Sequence, residues 1–144
     1  MAALQYPIAR LAQRLPRTQG LVWGALLYGA GYLLFGWVKA YPALLAVITV
    51  VTFGEMAFAP TSLAVVADLA PPARRGRYMG AFGLAESFGW SAGPFLGGVL
   101  LDAFPHSPPA MWGIITSLAF AAAAGFMLWG ARLRDLTSRR ANRT

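Results

Sequence analysis

The sequence predicts an all-α membrane protein with four transmembrane helices. Hydrophobic residues make up 58% of the 144 residues and charged residues only 12%, which is too apolar for an ordinary soluble domain. Each of four apolar runs has about the 20 residues that a helix needs to cross a hydrocarbon core of roughly 30 Å. A soluble helical bundle is excluded because the runs have no polar face. The four runs are residues 21–38, 42–67, 78–101 and 110–131.

The runs divide the chain into three regions. Residues 1–19 are interpreted as the end of a truncated helix and a cytoplasmic loop, because their apolar stretch is too short to span a membrane. Residues 20–134 are the four-helix transmembrane region, in which tight turns join the helices. Residues 135–144 are a basic tail, which we expect to be cytoplasmic.

The placement of arginine orients the helices. Eleven basic residues lie before the first run, between the second and third runs, or after the fourth, whereas Lys39 alone lies on the other side. Because loops rich in Lys and Arg stay in the cytoplasm, both termini are predicted to be cytoplasmic. This placement accounts for the net charge of +7, so nucleic-acid binding is not needed to explain it. The excess of Arg over Lys, with abundant Ala and Gly, favours a bacterial inner membrane as the location.

The third run carries a glycine and proline pattern. Gly89, Gly93 and Gly97 recur every four residues, so they form a bare stripe where another helix can approach closely. Proline removes one backbone donor, which a membrane helix tolerates only where neighbours satisfy the freed carbonyl. This helix is therefore predicted to pack tightly. Its full spacing is G-x8-G-x3-G-P-x3-G, formed by Gly80, Gly89, Gly93, Pro94 and Gly98.

This pattern resembles the antiporter motif, motif C, of the major facilitator superfamily of twelve-helix secondary transporters. Residues 55–80, E-M-A-F-A-P-T-S-L-A-V-V-A-D-L-A-P-P-A-R-R-G-R-Y-M-G, look like the tenth-to-eleventh helix region of its drug:proton antiporters. Arg10, Arg14 and Arg17 resemble the basic residues of a degenerate motif A. The resemblance covers nearly the whole chain and implies that the runs are helices nine to twelve of this fold. Helices three to six are the alternative.

Two carboxylates lie inside predicted membrane helices. Glu55 is almost midway along the second run, and Thr52 and Ser62 share its side of the helix. An ionisable group in hydrocarbon is costly, so Glu55 is expected to face protein or water. Two interpretations stay open for Glu55: a proton-coupling or cation-recognition group, or a structural carboxylate bonded to a neighbouring helix.

Glu86 and Trp90 lie on the third run, on the side of the glycine stripe. The resemblance implies that this helix acts at the gating seam, so its glycines and proline are assigned to gating as well as packing. Glu86 is assigned to a hydrogen bond that closes the gate, and Trp90 to substrate contact or to plain packing. The resemblance also implies that loop charges latch the inner gate; the candidates are Arg10, Arg14, Asp68, Arg74, Arg75 and Arg77.

An enzyme is not predicted, although residues 89–93 match the G-x-S-x-G motif of hydrolases. That motif requires a strand-to-helix turn, whereas Ser91 lies in the middle of an apolar run. The sequence contains no metal-ligand cluster, P-loop or G-x-G-x-x-G motif. No cofactor or metal is therefore expected.

The resemblance implies the C-terminal fragment of a transporter that exports drugs or other small molecules in exchange for protons, by alternating access. The expected partners are the lipid bilayer, the substrate, protons, and either the remaining transporter helices or further copies of the chain. Two alternatives are a small four-helix transporter that works as an oligomer and a non-transporting membrane subunit. A function that requires Glu55 would argue against the subunit.

The orientation is testable with reporter fusions. We expect reporters placed after Arg17, Arg75 and Arg140 to report a cytoplasmic location, and reporters placed near Tyr41 and Ser107 to report an external one. A reporter pair active only in the cytoplasm or only outside it makes the measurement. An external signal after Arg75 would contradict the four-span topology, because three arginines would then lie on the wrong side.

Overall fold

The structure is a computed structural model that describes residues 16–141, with side chains as far as Arg132. Residues 16–141 form four α-helices and a short 3-10 turn, with no strand, which confirms the predicted all-α class. Residues 1–15 of the predicted N-terminal region lie outside the described residues. The elements are α1 (Arg17–Phe35), α2 (Tyr41–Leu69), the 3-10 turn (Pro72–Arg74), α3 (Arg75–Ala103) and α4 (Pro108–Ala141).

Two of the four helices are long and apolar enough to cross a membrane on length and composition alone. They are Tyr41–Leu69 in α2 and Pro108–Arg132 in α4, each with a mean hydropathy of 1.8. Only 11% and 17% of their most apolar windows is buried, whereas the core helix of a soluble protein is mostly buried. The other two helices, α1 and α3, do not meet this criterion, and both are rich in glycine.

Prolines mark the start of several elements. Pro42 lies in the first turn of α2, Pro72 opens the 3-10 turn and Pro108 opens α4, positions where the missing N–H of proline costs nothing. Pro60 and Pro94 instead lie inside α2 and α3, and both helices continue past them. Each interior proline leaves one backbone carbonyl without its usual donor.

Helix α1 lies between α2 and α4 and packs extensively against both. Gly20 lies against Thr61 and Gly31 against Val51, so α2 runs antiparallel to α1. On the other side, Thr18 lies against Gly130, and α4 also runs antiparallel to α1. One end of the bundle therefore carries the start of α1 together with the end of α2, the start of α3 and residue 132 of α4.

Glycine allows α1 and α2 to approach at backbone distance. A Cβ atom added at Gly54 would lie 3.2 Å from the carbonyl oxygen of Gly24 and 3.2 Å from the amide nitrogen of Tyr28. A Cβ atom added at Gly24 would lie 2.8 Å from the Cβ of Phe58. The 2.8 Å distance is too short for a Cβ atom, and the 3.2 Å distances are tighter than most Cβ contacts, which is the geometry of small-residue packing in membranes. Gly24 and Gly54, which make this contact, were not among the glycines that the sequence predicted to pack closely.

Helix α3 stands apart from the other three helices. It has only sparse contacts with α2 and α4, and none of its residues is buried. A Cβ atom added at any of its glycines would meet nothing within 4 Å in the described part of the chain. The close packing predicted for Gly89, Gly93 and Gly97 therefore stays a prediction, and it requires a partner other than α1, α2 or α4.

The contact between α1 and α2 predicts unequal effects of adding bulk to two glycines. Gly24→Leu should lower the free energy of unfolding by about 1–3 kcal/mol, because the new side chain pushes Phe58 and α2 away. Gly83→Leu is the matched control: it adds the same side chain to a helix interior, in open space. Thermal unfolding in detergent, followed by circular dichroism, measures the difference. Equal destabilisation by the two substitutions would refute the role of Gly24.

Candidate functional site

Glu55 lies on α2 beside the backbone contact between α1 and α2. Its neighbour in sequence, Gly54, lies against the backbone of Gly24 and Tyr28. This contact brings Glu55 close enough for its charge to act on the hydroxyl groups of Tyr28 and Tyr32 on α1. The carboxylate is exposed in this chain, so it is accessible from the open side of α2.

The two tyrosines are the hydroxyl donors available to Glu55. The hydroxyl groups that sequence reasoning placed beside it, those of Thr52 and Ser62, donate to the carbonyl oxygens of Ile48 and Ala59, each at 2.9 Å. Their single protons are therefore already used. Phenol hydroxyls can donate to a carboxylate, which makes Tyr28 and Tyr32 candidate donors to Glu55.

Six aromatic side chains form a row beside Glu55, which we call the aromatic row. The rings of Tyr28 and Tyr32 stack with their centroids 5.7 Å apart, and Tyr32 stacks on Trp112 at 6.0 Å. At the other end Phe58 lies edge-on to Tyr28 at 6.2 Å, and Phe126 ends the row 5.8 Å from Phe58. The row joins α1, α2 and α4, and its members are Tyr28, Tyr32, Phe35, Phe58, Trp112 and Phe126.

Sequence reasoning did not select the aromatic row as a site. Tyr28, Tyr32 and Phe35 recur at i, i+4 and i+7, and this spacing places them on one face of α1. That signal was available in the sequence. The partners of these residues on α2 and α4 were not predictable, because they depend on the register between packed helices, which no local sequence pattern encodes.

Glu86 and Trp90 are not brought to Glu55 by the described helices. Both lie on α3, which stands apart, and Trp90 is 73% exposed. The predicted packing residues of α3 are also without a neighbouring helix there. The predicted roles of Glu86 and Trp90 in gating and substrate contact thus stay predictions.

Ser91 does not have the surroundings of a hydrolase nucleophile. It lies inside α3, far from either end of the helix, and not at the strand-to-helix turn that the G-x-S-x-G motif requires. Its hydroxyl donates to the carbonyl oxygen of Ser87 at 2.9 Å. Among the described residues, no three His, Cys, Asp or Glu side chains are placed to hold a metal ion together.

The predicted inner-loop charges lie at one end of the bundle. Asp68 forms an ion pair with Arg17, whose guanidinium also donates to the carbonyl oxygen of Ala64 at 2.7 Å. Arg17 was recognised as part of a motif A remnant but not as a candidate for the gate. Arg10 and Arg14 lie outside the described residues. We call this part of the bundle the basic end, and its described arginines are Arg17, Arg74, Arg75, Arg77 and Arg132.

Arg74, Arg75 and Arg77 follow the end of α2 in a tight turn. Arg75 reaches back to the carbonyl oxygen of Ala67 at 3.4 Å. Arg74 and Arg77 instead line a crevice of about 310 Å³ at the start of α3. The structure therefore puts the candidate residues in three places: Glu55 with aromatic neighbours along α1 and α2, Glu86 and Trp90 with the glycine stripe on α3, and an arginine cluster at the basic end.

Comparison with known proteins places the chain in a family. The family model described as Major Facilitator Superfamily matches residues 1–143. The chain is 30% identical over 105 residues to the uncharacterized MFS-type transporter MJ1560 of Methanocaldococcus jannaschii, a match that covers 73% of this chain and 27% of that protein. It is 27% identical over 107 residues to the uncharacterized MFS-type transporter YqjV of Bacillus subtilis, covering 74% of this chain and 26% of that protein.

A third relative is the uncharacterized MFS-type transporter YttB of Bacillus subtilis, which is 32% identical over 82 residues, 57% of this chain and 21% of that protein. The chain thus spans about a quarter of the length of the curated relatives it matches. No solved structure matches it significantly. Because the family model matches almost the whole chain and the described residues form four helices without a strand, this chain belongs to the major facilitator superfamily and is an all-α membrane protein.

Proposed function

We propose that the chain forms helices nine to twelve of a secondary transporter that exports a drug or another small molecule in exchange for protons. The position of Glu55 carries this proposal. It is a carboxylate about midway along a membrane helix, with two tyrosine hydroxyls within reach of its charge and a row of aromatic rings beside it. Ionisable residues inside membrane helices mark ion and substrate pathways.

The surroundings of Glu55 suit a group that gains and loses a proton. The protonated carboxyl is neutral and costs little in an apolar site. The carboxylate is costly there, and hydrogen bonds from Tyr28 and Tyr32 would lower that cost. A site in which neither the protonated carboxyl nor the carboxylate is very costly can release a proton when the substrate arrives and bind one when the substrate leaves. The aromatic row offers flat apolar surface for an organic substrate and ring faces for a cationic one.

Helix α3 has the properties that a gating helix needs. It is joined to α2 and α4 by short turns at its two ends, and little else in the described chain holds it. Its glycine stripe offers a narrow surface on which a helix of the other half of the transporter can slide or separate. Alternating access by rocking of two halves requires such a seam. We assign Glu86 to a hydrogen bond that closes this seam and Arg17, Asp68 and their neighbours to the inner gate.

The proposed location is a bacterial inner membrane with both termini in the cytoplasm. The basic end carries five described arginines, whereas Lys39 is the basic residue at the other end of the described helices, which supports this orientation. The proposed partners are the lipid bilayer, the substrate, protons and the remaining transporter helices. The coding sequence upstream of Met1 tests this assignment: eight further in-frame helices are expected. Their absence would favour an oligomer of this chain.

The role of Glu55 is testable by Glu55→Gln, which keeps the shape of the side chain and fixes the neutral state. Efflux driven by a pH gradient should fall at least tenfold in membrane vesicles that contain the transporter to which this chain belongs. Substrate binding and downhill exchange should persist, because they do not require a proton to be exchanged. Fluorescent substrates and a pH-sensitive dye measure the two fluxes.

Glu86→Gln is the matched control for this experiment, since it makes the same change on α3. It should retain coupling between the fluxes of substrate and proton, even where the rate changes. Normal pH-driven efflux in Glu55→Gln would eliminate the proton role of Glu55. Loss of coupling in Glu86→Gln alone would transfer that role to α3.

A further inference from the structure

We propose that Thr116 on α4 is a positioning residue for the transport site, because it fixes the depth at which α4 packs on α1. The hydroxyl of Thr116 donates to the carbonyl oxygen of Gly29 on α1 at 3.4 Å, and this contact is buried. Only 3% of Thr116 is exposed. The proposal rests on the exchange function proposed for Glu55, since the aromatic row beside that carboxylate depends on where α4 lies.

The hydroxyl of Thr116 crosses a helix interface, whereas other hydroxyls of the described helices bond within their own helix. Serine and threonine commonly donate to a carbonyl three or four residues earlier in the same helix. Thr61, which is also buried, does so, because its hydroxyl donates to Ala57 at 2.7 Å. A polar group buried among apolar side chains is costly unless it has a partner, and the partner of Thr116 is on α1. The hydroxyls that bond within their own helix are those of Thr49, Thr52, Thr61, Ser62, Ser91 and Ser117.

Gly29 allows this contact because it has no side chain. The ring of Phe120, one turn after Thr116, lies where a side chain at residue 29 would be: a Cβ atom added at Gly29 would lie 2.7 Å from Cε1 of Phe120. Two successive turns of α4 therefore contact the same residue of α1. Apolar contacts are non-directional, whereas a hydrogen bond requires its acceptor at one distance and angle. Thr116 thus specifies the depth of α4 more narrowly than its apolar neighbours do.

The depth of α4 decides whether the aromatic row is complete. Trp112 lies one turn before Thr116 on the same face of α4. Its ring stacks on that of Tyr32 at 6.0 Å and on that of Phe35 at 4.8 Å. A slip of one helical turn would move α4 by about 5.4 Å, which is enough to break both stacks. Tyr32 is one of the two candidate donors to Glu55, so Thr116 acts on the transport site through Trp112 and Tyr32.

Fluorescence quenching of Trp112 tests the position of α4. The full chain has five tryptophans, and all except Trp112 are changed to phenylalanine in lipid vesicles that contain brominated acyl chains. Thr116→Val removes the hydroxyl and keeps the shape. It should raise the quenching of Trp112 about twofold, because the loss of an interhelical hydrogen bond lets α4 leave its depth and exposes the ring to lipid. Thr116→Ser keeps the hydroxyl and should restore the original quenching.

Thr49→Val is the matched control, since it makes the same change at an exposed residue whose hydroxyl donates within α2. It should leave the quenching of Trp112 unchanged. Circular dichroism checks that all variants keep their helices.

The transport readout uses membrane vesicles that contain the transporter to which this chain belongs. Thr116→Val should lower efflux driven by a pH gradient about threefold, which corresponds to one interhelical hydrogen bond of average strength. Downhill exchange of substrate should persist, and Thr116→Ser should restore the pH-driven efflux. A merely structural role would instead lower both fluxes together, in proportion to the loss of folded protein.

The outcomes distinguish this proposal from the proposed function. Unchanged quenching in Thr116→Val, or equal quenching in Thr116→Val and Thr49→Val, would show that Thr116 does not fix the depth of α4 and would overturn the proposal. Increased quenching with normal pH-driven efflux would limit Thr116 to packing and would also overturn it. Normal efflux in Glu55→Gln would contradict the proposed function, while the quenching of Trp112 would still decide whether Thr116 fixes α4. Increased quenching and weaker coupling in Thr116→Val, both restored in Thr116→Ser, are the expected result.

Discussion

The close approach of α1 and α2 at Gly24 and Gly54 determines most of what the structure offers for function. Because neither residue has a side chain, the backbone of α2 reaches the backbone of Tyr28. The next residue on α2 is Glu55, and Phe58, one turn further, lies against the ring of Tyr28. A larger residue at either glycine would push α2 away from α1 and so change the surroundings of Glu55. The proposed proton chemistry thus depends on a packing contact that carries no charge.

The glycines of this chain pack closely in one helix and not in another, and the presence of a neighbouring helix makes the difference. The glycines of α1 meet neighbouring atoms, whereas those of α3 meet nothing within 4 Å among the described residues. Both helices have a sequence suited to close packing, but only α1 has a second and a third helix beside it. We interpret α3 as a helix whose packing surface is completed by another part of a transporter, in agreement with a chain that spans about a quarter of its relatives.

The sequence predicted the helices well, because their signals are local. Apolar runs and prolines predicted the four helices to within a few residues at most ends, and the carboxylate of Glu55 was recognised as unusual for its depth alone. The aromatic neighbours of Glu55 were not predicted. Trp112 stacks on Tyr32 from 80 positions away in the chain, and no periodicity of α1 encodes the register of α4. The ion pair of Asp68 with Arg17 was missed for the same reason, because it depends on how the start of α1 packs against the end of α2.

The separation of charges along the bundle has a mechanistic consequence for exchange. Glu55 is the carboxylate of α2 inside the apolar run, while the described arginines lie at the basic end. The one ion pair in the described part of the chain belongs to Asp68, so no arginine there is paired with Glu55. A permanent partner would stabilise the carboxylate by several kcal/mol and oppose the uptake of a proton. A carboxylate without an arginine partner agrees with the exchange of a proton proposed for Glu55. The structural interpretation, a carboxylate bonded to a neighbouring helix, stays open beside it.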